Sequence, residues 1–258
     1  MPKKMTSFLI TGANRGLGLW MATILASKPA SEVNVVIAAV RKSSDALERL
    51  IAESAGRVRL LVVQITEEES VEKFAVEVAQ ILPHGLDVLI NNAGIMQYSP
   101  NSELGAEAMN NLKEHWEINV NSVHLVSRAL LPILRKGKKK TIVNVSSAMA
   151  SITHLKDYMF QPTPAYKISK AALNMMTAQY AAYLEKDGFT VFSICAGWAR
   201  TEMGSEAADL DPKESAECLL KRVLSVTKID NGKFFSALVP SWESKGGSSR
   251  YDGRVLPW

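Results

Sequence analysis

Cysteine is scarce in this chain, and the scarcity narrows the range of protein classes. Only Cys195 and Cys218 occur among its 258 residues. They form neither the ligand spacing of a zinc site nor the framework of a disulfide-stapled secreted domain. We therefore expect no metal site and a protein that works in a reducing compartment, with the cytoplasm as its location.

Long apolar runs and strong charge are also lacking. No stretch is long and apolar enough to span a bilayer, and no small-residue cleavage site follows the first apolar segment, as a signal peptide requires. The net charge is only +4. The basic run 135–140 contains no aromatic residue that could stack on a base, and its place between a predicted helix and a predicted strand favours solvated lysines. We expect neither a membrane nor a nucleic acid as a partner.

Repeats, low-complexity tracts and linkers are lacking as well, so we predict a single domain over residues 1–258. Strand-like and helix-like segments alternate, which predicts an α/β fold of the Rossmann type, with one doubly wound parallel β-sheet flanked by helices. The predicted strands are 8–10, 33–40, 58–65, 86–90, 141–145 and 190–195. The predicted helices are 17–25, 46–55, one after 66–69, one or two within 103–135, 165–186 and one that starts at Pro212. Residues 148–164 are predicted to form a loop, and the tail from Phe234 to hold short strand and turn material.

A glycine-rich turn joins the first predicted strand to the first predicted helix. Gly12, Gly16 and Gly18 have the spacing G-x-x-x-G-x-G. Glycine accepts positive φ and lets the backbone approach a ligand, and the free N–H groups and dipole of a helix N-terminus favour a phosphate. A plain strand-to-helix turn explains this pattern equally well when it is taken alone.

Tyr166 and Lys170 stand four residues apart on a predicted helix and therefore share one face. A tyrosine with an ordinary pKa is a poor acid or base at neutral pH. An adjacent ammonium group favours the phenolate, so we expect Lys170 to lower the pKa of Tyr166 and make it a usable acid/base. An ordinary exposed Tyr and Lys pair is the alternative for this motif by itself.

Four stretches taken together resemble the short-chain dehydrogenase/reductase family. They are the glycine turn, Asn91-Asn92-Ala93-Gly94, Ser147 and the Tyr166/Lys170 pair. Each follows a predicted strand or lies on the helix after it, at the sheet edge where open α/β folds bind ligands. The resemblance covers nearly the whole chain. The turn 11–19 and the endings 231–235 and 252–258 are similar to the sniffer/C-factor-like and carbonyl-reductase-like branch.

The resemblance implies a catalytic set. Tyr166 protonates the carbonyl oxygen during reduction, and Ser147 hydrogen-bonds that oxygen. Ser146 is the rival position, but the second serine matches the family pattern. Lys170 holds the nicotinamide ribose, and Asn119 anchors a water that relays protons to Lys170. A helix-surface amide is the alternative for Asn119.

The resemblance also implies a nicotinamide cofactor. NAD-preferring members of the family place an acidic residue at the end of the second strand, whereas this chain has Val40 and then Arg41. Arg15 in the glycine turn supplies a second guanidinium, and two arginines suit a 2′-phosphate, so NADP(H) is the expected cofactor. Two solvated surface arginines are the alternative. The expected cofactor-binding residues are Gly12, Asn14, Arg15, Gly16, Leu17, Gly18, Arg41, Gln64, Ile65, Asn92, Ala93, Gly94, Tyr166, Lys170, Gly197, Trp198 and Thr201.

This chain departs from the family pattern at three places, of which the first concerns the adenine contact and the other two the substrate and the loops. Gln64 replaces the usual Asp, Ala196-Gly197 replaces Pro-Gly, and the gap between Ser147 and Tyr166 is longer than is typical. The insertion is expected to line or cover the substrate pocket. An apolar cleft is expected from Met96, Tyr158, Met159, Phe160, Trp198 and Met203, although core or lid packing uses the same residue types. His154 is more often solvated than catalytic at such a loop position.

We expect an enzyme that interconverts a small-molecule ketone or aldehyde and the matching alcohol with NADP(H). The resemblance further implies a homodimer or homotetramer through the helices that carry Asn119 and Tyr166. Two alternatives stay open at this point. One is a non-catalytic NADP-binding sensor, and the other is a biosynthetic enzyme that acts on an imine or performs dehydration or cyclisation.

Overall fold

The alternation of apolar and amphipathic segments builds one parallel sheet between two helical layers. The computed structural model describes residues 5–99, 109–240, 242 and 250–258. The strands are Thr6–Thr11 (β1), Val33–Val40 (β2), Val58–Val62 (β3), Val88–Asn91 (β4), Thr141–Ser146 (β5), Thr190–Cys195 (β6) and Phe234–Phe235 (β7). Their order is β3-β2-β1-β4-β5-β6-β7, and every pairing is parallel. The order reverses between β1 and β4, and such a switch point opens a ligand crevice at the carboxyl ends of the strands.

The helices lie in two layers because each sheet face is apolar. They are Gly16–Ser27 (α1), Asp45–Glu53 (α2), Glu68–Ile81 (α3), Leu112–Trp116 (α4), Ser122–Lys136 (α5), Pro164–Leu184 (α6) and Pro212–Ser225 (α7). One core cluster joins the sheet to α1 and α7, and a second joins it to α3, α5 and α6. Phe8 and Leu9 illustrate the alternation, since these neighbours in β1 belong to opposite clusters. This arrangement confirms the predicted doubly wound α/β fold.

Several predicted boundaries shift in the structure. The third strand ends at Val62, because Val63 to Ile65 turn towards α3, and the fourth runs from Val88 to Asn91. A π-helical turn, Glu117–Asn121, joins α4 to α5, and part of the predicted 103–135 helical region lies outside the described residues. The predicted loop 148–164 contains two short 3₁₀ turns, Ala148–Ala150 and Leu155–Tyr158, and Pro164 already starts α6. Proline fits there because a first-turn residue needs no intrahelical N–H bond.

A buried polar network fixes the middle of the sheet to one helical layer. The Asn91 side-chain amide donates to Ser127 Oγ at 3.0 Å and to Asn144 Oδ1 at 2.9 Å. Asn144 in turn donates to Thr177 Oγ1 at 2.8 Å, and Thr177 pairs with Ser193 at 2.8 Å. Satisfied buried networks of this kind hold their elements in one arrangement. Strands β4, β5 and β6 are therefore held at fixed positions against α5 and α6.

The basic run 135–140 lies at the strand-start edge, opposite the carboxyl ends. Asp87 closes this edge by accepting from Ser7 at 2.9 Å and from the Lys138 amide at 2.8 Å. Lys136 and Lys138 are exposed. Within the described ranges, no helix combines the length and apolarity that crossing a membrane requires.

Candidate active site

A large cavity opens at the carboxyl ends of the strands. Its volume is about 1180 Å³, and its walls come from the turn after β1, the ends of β2 to β6 and the chain after β7. Of the residues predicted for the site, those that line it are Gly12, Asn14, Arg15, Gly16, Leu17, Arg41, Gln64, Ile65, Asn92, Ala93, Gly94, Ser147, Tyr166, Lys170, Gly197, Trp198 and Thr201. Gly18 and Asn119 lie behind the wall. The topology thus brings together residues separated by up to 189 positions, from Gly12 to Thr201.

The glycine turn depends on backbone geometry at three positions. Gly12 and Gly16 have φ of +70° and +53°, which side-chain-bearing residues rarely adopt. Gly18 has another role, since a Cβ there would lie 2.3 Å from the Gly12 carbonyl oxygen. Its lack of a side chain lets α1 start directly beneath the turn, so the helix N-terminus faces the cavity.

The Asn-Asn-Ala-Gly segment holds this turn in place. Thr11 Oγ1 accepts from the backbone N–H groups of Asn92 at 3.0 Å and Ala93 at 3.1 Å. The Asn92 side chain donates to the Thr11 carbonyl at 2.9 Å. The segment therefore cross-links the ends of β1 and β4 while it lines the cavity.

Tyr166, Lys170 and Ser147 meet at the centre of the cavity. Tyr166 and Lys170 lie on the first two turns of α6, and Ser147 follows β5; all three are buried. Lys170 Nζ donates to the Val145 carbonyl at 2.8 Å and lies 5.8 Å from the centre of the Tyr166 ring. The Ser147 hydroxyl is close enough to the Tyr166 phenol to act on its pKa.

The expected lowering of the Tyr166 pKa by Lys170 is wrong for this structure. Burial raises the pKa of Tyr166 far above its ordinary value, and the Ser147 hydrogen bond opposes this only in part. Burial also lowers the pKa of Lys170, to about 8. Desolvation is the largest cause of both pKa shifts because both side chains are almost completely buried. At neutral pH Tyr166 keeps its proton, as a group that donates to a carbonyl oxygen must.

Asn119 acts as a cross-link in the structure. It lies in the π-helical turn, fully buried. Its side chain accepts from the Ile95 N–H at 2.9 Å and donates to the Ile95 carbonyl at 2.9 Å and to Ser169 Oγ at 3.0 Å. Ser169 donates to the Tyr166 carbonyl at 2.8 Å. These bonds tie the segment after β4 to the helix of Tyr166, and the predicted water-anchoring role stays a prediction.

His115 supports Tyr166 and was missed in the sequence analysis. The fully buried imidazole stacks edge-on against the Tyr166 ring, with ring centres 6.4 Å apart. Its Nε2 accepts from the Gln97 N–H at 3.2 Å, so Nδ1 carries the proton that is shared with the Asn111 carbonyl at 2.9 Å. Its place on α4, one turn before Asn119, was the only signal in the sequence.

The segment after β6 closes one side of the cavity. Gly197 has a φ of +83°, and a Cβ there would lie 2.6 Å from Leu210 Cδ1. The Trp198 indole donates to the Gly204 carbonyl at 2.6 Å. The Trp198 amide donates to the Tyr251 hydroxyl at 3.2 Å, which itself donates to Asp209 at 2.6 Å. These bonds fix the indole of Trp198 in the wall.

The nucleotide end of the cavity has a positive rim. Arg41, Lys42 and Ser43 follow β2 and line the wall, and the buried Ser43 hydroxyl has no hydrogen-bond partner in the described part of the chain. An unpartnered hydroxyl beside two cations fits a phosphate group. Lys42 and Ser43 were not predicted, although they directly follow Arg41. Arg15 forms an ion pair with Glu202 at the surface, and its expected role at the 2′-phosphate stays a prediction.

The substrate end is built from mixed side chains. Met96, Tyr158, Phe160, Trp198 and Met203 line the cavity as expected, and His154 lines it as well. Met159 does not; its side chain is directed outwards and is 43% exposed. Among the described residues no cluster of three His, Cys, Asp or Glu side chains could hold a metal ion.

The glycine turn lies at the switch point of the sheet and shares one cavity with Ser147, Tyr166 and Lys170. This combination defines a nucleotide-dependent oxidoreductase of the α/β class. The family model for short chain dehydrogenases matches residues 6–211, and the chain belongs to this family. The family uses a nicotinamide cofactor.

Relatives and solved structures agree with this assignment. A short-chain dehydrogenase of Pyricularia oryzae is 32% identical over 272 residues, covering 99% of each chain. A structure of NADPH-bound carbonyl reductase from chicken fatty liver has a TM-score of 0.84 and 27% identity, covering 99% of this chain and 100% of that one. The carbonyl reductase Sniffer of D. melanogaster has a TM-score of 0.83 and 27% identity over 98% and 100%. The predicted family and branch are confirmed.

Proposed function

We propose that this protein is an NADP(H)-dependent oxidoreductase that interconverts a ketone or aldehyde and the corresponding alcohol. The observation that carries the proposal is the meeting of Tyr166, Ser147 and Lys170 in a cavity shared with the glycine turn. The chicken carbonyl reductase, whose structure holds NADPH, supports the choice of cofactor.

The residues fit the cofactor from end to end. The helix N-terminus behind Gly16 would hold the pyrophosphate, and Arg41, Lys42 and Ser43 the adenosine 2′-phosphate. Lys170 would bind the nicotinamide ribose. When bound, the dinucleotide supplies or accepts a hydride.

The chain's own groups handle the substrate oxygen. The protonated Tyr166 phenol donates to the carbonyl oxygen and transfers its proton as negative charge develops there. Ser147 donates a second hydrogen bond to the same oxygen, which stabilises that charge. In the oxidation direction the same phenol, once ionised, accepts the alcohol proton. Asn119 and His115 hold the segment and the ring that keep Tyr166 in position.

Oxidation of NADPH followed at 340 nm against a panel of ketones, aldehydes, diketones and quinones tests this function. We expect turnover with NADPH preferred over NADH. Tyr166→Phe should lower kcat/KM by about 10²–10⁴-fold while nucleotide affinity is unchanged, because only the proton donor is removed. Full activity in that variant would remove Tyr166 from the mechanism. Tight NADPH binding without turnover of any panel member would favour a non-catalytic sensor.

The exposed apolar side chains of α6 support a homo-oligomer, either a dimer or a tetramer. Ile168, Met175 and Tyr183 are 42%, 64% and 79% exposed, and their spacing places them on one face. A second copy packed on α6 would cover this face, behind the catalytic residues.

A further inference from the structure

A second phenol lies in the same cavity as Tyr166. Tyr158 ends the 3₁₀ turn Leu155–Tyr158 and lines the same cavity as Ser147 and Cys195. Its side chain is half-buried, and its hydroxyl has no hydrogen-bond partner in the described ranges. The proposed reaction does not use this group.

Tyr158 is held at a fixed position relative to Tyr166. The next residue on α6, Lys167, turns its ammonium group back towards the preceding turn. Lys167 Nζ donates to the Tyr158 carbonyl at 2.6 Å and to the Gln161 carbonyl at 2.8 Å. Because Lys167 is only 7% exposed, this clamp is shielded from water. Both phenols are thus positioned by adjacent residues of one helix.

The surroundings keep the Tyr158 phenol protonated. Burial, the Cys195 thiol and the Asp157 carboxylate raise the pKa of Tyr158 to about 12, and the Arg254 guanidinium opposes them only in part. Cys195 also acts on Tyr166, which places the thiol near both phenols. A neutral phenol with a free O–H in a cavity wall is a hydrogen-bond donor for whatever occupies the cavity.

We propose that Tyr158 donates a hydrogen bond to a second oxygen of the substrate. This inference rests on the proposed carbonyl reduction, in which Tyr166 and Ser147 bind the first oxygen. The preferred substrates are then carbonyl compounds that carry another carbonyl or hydroxyl oxygen on an apolar frame. Met96, Met149 and Leu256 supply apolar wall for that frame. A half-buried donor that a substrate covers discriminates against analogues that leave it unpaired.

The test compares two probes that differ by one oxygen, 1-phenylpropane-1,2-dione and 1-phenylpropan-1-one. Calorimetry on the full chain, with and without NADP⁺, gives their Kd values for wild type and Tyr158→Phe. We expect Tyr158→Phe to weaken the dione by about tenfold and to leave the monoketone unchanged. Dividing the Kd of the variant by the Kd of wild type for each probe removes the intrinsic difference in affinity between the two compounds. Tyr98→Phe is the matched control, because Tyr98 lines the same cavity but is 51% exposed; it should change neither Kd.

The clamp offers an independent variant. Lys167→Met should lose the preference for the dione to the same extent as Tyr158→Phe, and Lys167→Arg, which keeps two donors, should retain it. Equal losses for both probes in Tyr158→Phe, or no loss for either, would overturn the second-oxygen site. Selective dione binding that requires Tyr158, with no NADPH oxidation by wild type, would instead overturn the proposed reaction and leave the site standing.

Discussion

The ammonium group of Lys170 is buried at a position with almost no access to water. Its pKa, lowered to about 8 by burial, couples folding to pH in the cofactor-free protein. In the unfolded chain a lysine stays protonated up to about pH 10.4. Between these two values the unfolded state binds more protons than the folded state, so stability rises with pH. Below pH 8 the burial penalty is fully present, because the lysine is charged in both states.

Lys170→Met makes this linkage measurable. The free energy of unfolding of wild type should rise by about 2 kcal/mol relative to Lys170→Met between pH 7 and pH 9.5, since other titrating groups are common to both proteins. Urea unfolding at both pH values gives this difference. Lys221→Met removes an exposed lysine from α7 and is the control. A pH-independent difference would mean that burial does not lower the pKa of Lys170 and that the lysine stays charged in the folded state across this range.

Arg41 is predicted to read the 2′-phosphate that distinguishes NADPH from NADH. Arg41→Ala should weaken NADPH by about tenfold or more and NADH hardly at all, because a charge-assisted pair with phosphate is lost. Fluorescence titration of both nucleotides measures this selectivity. Arg59→Ala removes an exposed arginine outside the cavity and should leave both affinities unchanged. Equal losses for the two nucleotides would place Arg41 elsewhere on the ligand.

For single residues, the sequence predicted which residue types form the site better than it predicted which residues contact each other. The glycines, Ser147, Tyr166 and Lys170 carry recognisable local patterns, and the structure brings them together. The partner of Arg15 is Glu202, which is 187 positions away and belongs to no motif. His115 and the orphaned Ser43 hydroxyl depend on tertiary packing. The sign of the Tyr166 pKa shift depends on burial, which spacing on a helix does not reveal.

The β1–turn–α1 element works because Gly18 lets two backbone segments touch. Gly18→Ala should cost about 1–3 kcal/mol of stability and weaken nucleotide binding, since a Cβ would press on the Gly12 carbonyl from 2.3 Å. Gly56→Ala is the matched control, because its Cβ would meet only the end of the Arg59 side chain, at 4.0 Å. It should lose some stability through backbone strain but no nucleotide affinity. Melting temperatures and NADPH titrations separate the two effects.

Strands were predicted best where both faces of the sheet are buried, and helices where a proline marks the first turn. The last strand before the tail, Thr190–Cys195, and the start of α7 at Pro212 match the prediction. Buried strands read as continuous apolar runs, and a proline marks a helix start. The π-helical turn around Asn119 was not predicted, and the bonds that Asn119 makes there join it to the distant residues Ile95 and Ser169. The 3₁₀ turn that ends at Tyr158 was likewise not predicted, and its last carbonyl accepts from Lys167 on another element.

The whole molecule is predicted to assemble through α6. Met175→Glu should shift the protein towards the monomer, because a charge placed in an apolar interface is left unpaired. Light scattering after size exclusion measures the mass. Ile229→Glu alters an equally apolar and 79% exposed position on another surface and should leave the mass unchanged. A monomeric wild-type protein would contradict the assembly.

The parts of the cavity wall follow one another in roughly the same order as their residues along the chain. Its proposed nucleotide half comes mainly from residues 12–94, its centre and part of the substrate wall from 145–170, and the rest of the wall from 196–204 and 250–256. Gly197, Trp198 and Thr201 are also predicted to bind the cofactor, whereas no residue of 250–258 is, so evolution can remodel this last segment without changing the predicted nucleotide contacts. Chimeras that exchange residues 250–258 between relatives should change which substrates are accepted while NADPH affinity stays the same. A change in NADPH affinity alone would show that the two halves are not separable. Relatives that share a cofactor but differ in substrate then reflect the order of these segments along the chain as much as the fold.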